Sequence, residues 1–170
     1  MNILIAVASK HGSTREIAQA LAEELHVSGL TAEVREAGEI TDLDGYDAAI
    51  VGSAVYTGNW LPDARRLIER EHARLATMPV WLFSSGPLGA DPSPRGDLNG
   101  LEELLTTTGA REHVIFTGKL DPQDLGLAER LVARVVHAPM GDFRDWAAIR
   151  AWARAIGATL AAARTPVAVV

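Results

Sequence analysis

Apolar runs of strand length alternate along this chain with stretches whose apolar residues recur at helical spacing. Ile3 to Ala8 is apolar without alternation, as a strand buried on both faces requires. Ser13 to about Ser28 then puts Ile17, Leu21, Ala22 and Leu25 on one helical stripe. Thr31 to Arg35 reads as a second strand and Ala48 to Gly52 as a third. Pro62 suits the first turn of a helix that turns Ala64, Leu67, Ile68 and Leu75 inward. Pro79 to Ser84 gives a fourth strand. Leu98, Leu101, Leu104 and Leu105 give a short helix with Asp97 as its cap. His113 to Thr117 is the fifth strand, and Trp146, Ile149, Trp152, Ala153, Ile156 and Leu160 stripe the last helix.

Strands alternating with helices predict an α/β fold, a parallel sheet covered on both faces, because right-handed crossovers put the helices there. At 170 residues one domain, residues 1–170, accounts for the whole chain. The expected sheet has five parallel strands in the order 2-1-3-4-5. One connection is long: Gly118 to Asp142, about 25 residues, carries an amphipathic piece with Leu127, Leu131, Val132, Val135 and Val136. Insertions of that size are commonly functional.

Composition narrows the partners. Hydrophobic residues at 48% and charged residues at 22% describe an ordinary folded chain. A net charge of -6 disfavours nucleic acid and acidic lipid, both polyanions. The absence of cysteine removes disulfides, iron–sulfur ligation and thiol chemistry, and fits a reducing cytoplasm. Met1 to Val7 is apolar but short and lacks a basic leader, so it reads as a buried strand and not a signal peptide. No transmembrane segment is expected, since Arg164 and Pro166 interrupt the apolar C-terminal stretch.

Ligands of open parallel sheets bind beyond the carboxyl ends of the strands, where the strand order reverses. Under the expected order that crevice lies between strands one and three. Its walls are Ser9 to Thr14 and Ser53 to Trp60, with Ser84 to Gly89 beside them, all rich in glycine and hydroxyls. In the first loop, Ser9, Lys10, His11, Gly12, Ser13 and Thr14 lead into a helix. Free amides at the helix start and the hydroxyls of Ser9, Ser13 and Thr14 then converge on one spot, a nest suited to a phosphate monoester. The plainer reading makes Ser13 and Glu16 a capping box. Position at the switch point favours the phosphate.

The second loop, Ala54, Val55, Tyr56, Thr57 and Gly58, leads to Asn59 and Trp60. Tyr56 or Trp60 is a candidate to stack on a planar ring, and a peptide near Gly58 has the freedom to turn toward it. The competing reading packs Trp60 against the following helix. The third loop, Ser85, Gly86, Pro87, Leu88 and Gly89, offers backbone amides or is a plain turn. The sequence lacks the Gly-Lys-Ser/Thr ending of a Walker loop and the dinucleotide Gly-x-Gly-x-x-Gly turn. Ala8, Ser9 and Ser53 stand where a phosphoacceptor domain needs acids. The five histidines have no metal-ligand spacing, and only His11 falls in the crevice. No metal site and no catalytic residue can be named.

At these three loops the sequence resembles the flavodoxin superfamily. Ser9, Gly12 and Thr14 fall on its phosphate pattern Ser/Thr-x-Thr-Gly-x-Thr, with His11 where that pattern has Thr. Gly12-Ser13-Thr14-Arg15-Glu16-Ile17-Ala18 is similar to the opening of the flavodoxin-like, menaquinone-dependent protoporphyrinogen oxidase group. Gly58 after strand three and the insertion leading into Asp145-Trp146 are similar too. The resemblance implies a flavodoxin-like three-layer sandwich and flavin mononucleotide (FMN) as cofactor. It places the phosphate on Ser9 to Thr14 and the isoalloxazine ring between the Tyr56–Gly58 and Ser85–Gly89 loops.

Three functions follow as alternatives: an FMN electron carrier serving a redox partner protein, an oxidoreductase passing electrons from protoporphyrinogen to a quinone, and a non-redox phosphate-ligand domain. The insertion is the candidate substrate or peripheral membrane contact. No carboxylate precedes Asp91 in the three loops, which predicts a less negative potential than in an acidic carrier.

Overall fold

A computed structural model describes residues 1–86, 98–121 and 140–164. The described elements are β1 (Asn2–Ala8), α1 (Ser13–Val27), β2 (Thr31–Glu36), a 3-10 turn (Ala37–Glu39), β3 (Ala48–Tyr56), β4 (Asn59–Trp60), α2 (Pro62–Leu75), β5 (Val80–Ser85), α3 (Leu101–Thr108), β6 (Glu112–Phe116), β7 (Lys119–Leu120), β8 (Gly141–Asp142) and α4 (Trp146–Arg164).

The sheet runs β2-β1-β3-β5-β6, all parallel, and short β4 pairs antiparallel with β3. Counting only the five parallel strands, this is the expected order 2-1-3-4-5. Successive side chains of a strand point to opposite faces, so one apolar run serves two cores. Ile3, Ile5 and Val7 face α1 and α4, packing with Ile17, Leu21, Phe83, Trp152 and Ile156. Leu4, Ala6 and Ala8 face α2 and α3, packing with Leu67, Ile68, Leu82 and Leu104. Burying a large aliphatic side chain this way contributes about 1.5–3 kcal/mol. That two-sided demand explains why β1 shows no polar alternation.

Register brings the strand ends level. Ala8 sits opposite Ser53, Ala54 opposite Ser85, and Ser85 opposite Phe116. The loops leaving β1, β3 and β5 therefore emerge side by side, with the order reversing between β1 and β3.

Three elements differ from expectation. β3 runs on to Tyr56 because its end folds back on β4, pairing Val55 with Trp60 and Tyr56 with Asn59. The short helix α3 begins only at Leu101, after Gly100 in a left-handed conformation (φ 74°), and Asp97 lies outside the described residues. The insertion starts and ends on a small antiparallel ribbon, Lys119 with Asp142 and Leu120 with Gly141. Its amphipathic piece lies outside the described residues. Among the described residues, no helix is long and apolar enough to cross a membrane.

Candidate functional site

Gly12 takes φ +83° between β1 and α1 and is the residue before the first helical turn. A side chain would be strained in that left-handed conformation. A Cβ built on Gly12 meets no atom within 4 Å, so the concavity above the helix start is open. Among the described residues no side chain caps α1. The first amides of a helix have no partner inside it, so those of α1 are left for an acceptor from outside. Glu16 does not close a capping box; its carboxylate pairs with Arg144 at 2.8 Å.

Two hydroxyls decide the chemistry. Thr14 is wholly buried, Ser9 is half-buried, and neither Thr14 Oγ1 nor Ser9 Oγ has a hydrogen-bond partner among the described residues. Leaving a buried hydroxyl unpaired costs about 1–3 kcal/mol. Orphaned donors around an open helix start, in the positive end of its dipole, fit an anionic phosphate. Arg15 turns aside to Glu36 of β2 at 2.7 Å. Lys10 keeps its ammonium 5.5 Å from the centre of the Tyr56 ring.

The three loops meet. The rings of His11 and Tyr56 lie 6.5 Å apart, joining the first loop to the second. At Gly86 an added Cβ would come within 3.1 Å of Val55 Cβ, so glycine lets the third loop lie against the end of β3. The predicted positions Ser9 to Thr14, Ala54 to Gly58, Ser85 and Gly86 are thus at one sheet edge. Pro87, Leu88 and Gly89 lie outside the described residues.

Between them Tyr56, Thr57, Gly58 and Asn59 make a tight hairpin turn. Thr57 (φ 49°) and Gly58 (φ 75°) are both left-handed, as a type I′ turn requires. A β-branched residue there is an outlier and carries about 1–3 kcal/mol of strain. The turn's carbonyls are engaged. The Thr57 hydroxyl donates to the Tyr56 carbonyl at 2.8 Å, Asn59 Nδ2 donates to that of Thr57 at 2.9 Å, and the Asn99 amide donates to that of Gly58 at 2.8 Å. Tyr56 stays 40% exposed over the site.

Trp60 takes the other of its two expected roles. It is 4% exposed, packed among Leu67, Leu82 and Leu104, and its indole donates to Ser84 Oγ at 2.8 Å. Ser84 is only 2.8 Å from His113 Nε2. Burial pushes the His113 imidazole below its ordinary pKa, which favours the neutral ring. Ser53 is likewise structural, donating to the Ala54 carbonyl and accepting from the Leu61 amide at 2.9 Å.

Sequence reasoning missed Arg144. Its side chain is 3% exposed and forks onto Asp142 from the insertion's ribbon, while another nitrogen reaches Glu16 and the Ser13 carbonyl of α1. No local pattern marks it, because Ser13 lies 131 residues away in the chain.

The match to known proteins agrees with this geometry. Residues 4–145 match the family described as flavodoxin domain. The chain belongs to that family. It binds FMN. A curated relative, protoporphyrinogen IX dehydrogenase [quinone] of Escherichia coli K12, is 29% identical over 97 residues, 56% of this chain and 54% of the relative. The matched stretch thus spans about half the length of that relative. Among solved structures, rubredoxin oxygen:oxidoreductase of Desulfovibrio gigas has a TM-score of 0.66 at 18% identity, covering 95% of this chain and 36% of that one. A mutant of the flavodoxin from Pseudomonas aeruginosa has a TM-score of 0.59 at 17% identity, covering 95% of this chain and 99% of that one. At such identities the structures speak for the fold.

Proposed function

We propose that this domain holds FMN with its phosphate on Ser9 to Thr14 and its ring between the Tyr56–Gly58 turn and Ser85–Gly86, exchanging electrons there with a partner. The observation that carries this reading is the pair of orphaned hydroxyls, Ser9 Oγ and Thr14 Oγ1, beside the open Gly12 corner. Together with the α1 amides they supply donors to an anion, so a phosphate dianion would be bound by charge-assisted hydrogen bonds.

Bound FMN would supply the redox chemistry, accepting and releasing electrons singly or in pairs. The chain supplies orientation. Tyr56, beside His11 and Lys10, would flank the flavin ring, and glycine at 86 would let the third loop lie close to Val55 on the other side. In the Thr57–Gly58 turn the carbonyls are held by Asn59 and Asn99, so the turn keeps one shape at the edge of the slot.

A second reading is an oxidoreductase that passes electrons to a quinone, with protoporphyrinogen as the donor. The match to the dehydrogenase of that name and the ribbon-rooted insertion favour it. Anaerobic assay with protoporphyrinogen and menaquinone separates the two. Turnover of both supports the enzyme, and reduction only by a protein partner supports the carrier. A chain purified without flavin and unable to take up FMN contradicts both.

A further inference from the structure

Arg144 is the one buried guanidinium among the described residues, and none of its contacts is with the open concavity. It follows β8 and precedes α4, with its guanidinium carbon 4.4 Å from the centre of the Trp146 ring. Nε and one terminal nitrogen take both oxygens of Asp142, at 2.8 and 2.7 Å. The other terminal nitrogen reaches the Ser13 carbonyl at 3.1 Å and Glu16 Oε2 at 2.8 Å. Glu16 is the acidic residue of the first turn of α1, the turn that follows the open Gly12 corner. A carboxylate there is drawn to the same helix amides and the same dipole as a bound anion, so the two compete. Arg144 pins that carboxylate sideways and offsets part of its charge, which it shares with Asp142.

We propose that Arg144 is a positioning residue for the nucleotide phosphate, acting through Glu16: by taking up the Glu16 carboxylate it leaves the start of α1 to the phosphate. This rests on the phosphate lying on Ser9 to Thr14. Arg144 itself need not touch the ligand. The planar fork explains why arginine serves here and lysine does not, since one group must satisfy Asp142, Glu16 and a backbone carbonyl at once.

The test titrates the flavin-free full chain with FMN and with riboflavin, which is the same ring without the phosphate, following flavin fluorescence. Three variants are compared with wild type: Arg144→Gln, Glu16→Gln and the double variant. Arg144→Gln should weaken FMN by about tenfold, the effect of one uncancelled charge near a protein surface, and leave riboflavin within about twofold. Glu16→Gln should bind FMN at least as tightly as wild type. The double variant should return to within about threefold of wild type while its melting temperature stays lowered, so affinity and stability separate. If the single Arg144 variant does not fold, the double variant decides alone, because it carries no unpaired Glu16 charge. The proposal is overturned if Arg144→Gln binds FMN like wild type, if it loses riboflavin equally, or if the double variant remains about tenfold weak. A wild-type chain that binds riboflavin as well as FMN overturns the phosphate placement instead.

Discussion

Trp60 gives its indole proton to Ser84 Oγ over 2.8 Å, and Ser84 in turn lies 2.8 Å from His113 Nε2. The serine hydroxyl accepts from the indole and is paired with the imidazole as well. The chain Trp60–Ser84–His113 thus ties β4, β5 and β6 together, while Tyr56 in the turn before β4 stays exposed.

Trp60→Phe keeps an aromatic ring and removes the donor. It should cost about 1–2 kcal/mol, lowering the melting temperature by roughly 2–8 °C in a chain of this size. FMN affinity should stay within about twofold of wild type, because the bond lies in the core. Thermal denaturation and a flavin titration on the same variant check both halves.

His113 carries a pH dependence. Its pKa in the fold lies below the ordinary 6.5, for burial disfavours the charged ring. The unfolded chain therefore binds more protons between the two values, and stability is full above about pH 6.5 and declines as pH falls toward the folded value. Denaturant unfolding at about pH 7.5 and about pH 5.5 should show this loss, and His113→Gln should flatten that part of the profile.

Thr14→Ala and Ser9→Ala each remove an orphaned hydroxyl. Each should weaken FMN by about 1–3 kcal/mol, roughly five- to 150-fold, and Thr14→Ala should not lower the stability of the flavin-free chain by a like amount. Calorimetric binding and unfolding of the flavin-free variants separate the two effects.

Gly12→Val asks a β-branched residue to hold φ near +83° and fills the open corner with methyl groups. Flavin binding should fall further than in Thr14→Ala, to below detection at micromolar protein. Absorbance of the purified variant near the flavin bands reads this directly.

Much of this arrangement could be read along the chain. Ile3 to Ala8, Ile50 and Leu82 lie in runs buried on both faces, so their lack of alternation betrayed a covered parallel sheet. Ser9, Gly12 and Thr14 were legible for the same reason, since a hydroxyl-rich turn between a buried strand and an amphipathic helix has one place to go. What stayed hidden depends on distant partners. Trp60 beside a helix start serves ring stacking and core packing equally well, and only Ser84, 24 residues on, separates them. β4 was invisible because Thr57 breaks the rule that such turns take glycine, asparagine or aspartate. Arg144 reads as one more surface charge until α1 and the insertion's ribbon close around it.

The most direct measurement is the crystal structure of the chain saturated with FMN, with the phosphate located in the density. The phosphate should lie within hydrogen-bond distance of Ser9 Oγ, Thr14 Oγ1 and the first amides of α1, with Glu16 still on Arg144. Density for the phosphate elsewhere, or the two hydroxyls still unpaired while FMN is bound, would contradict it.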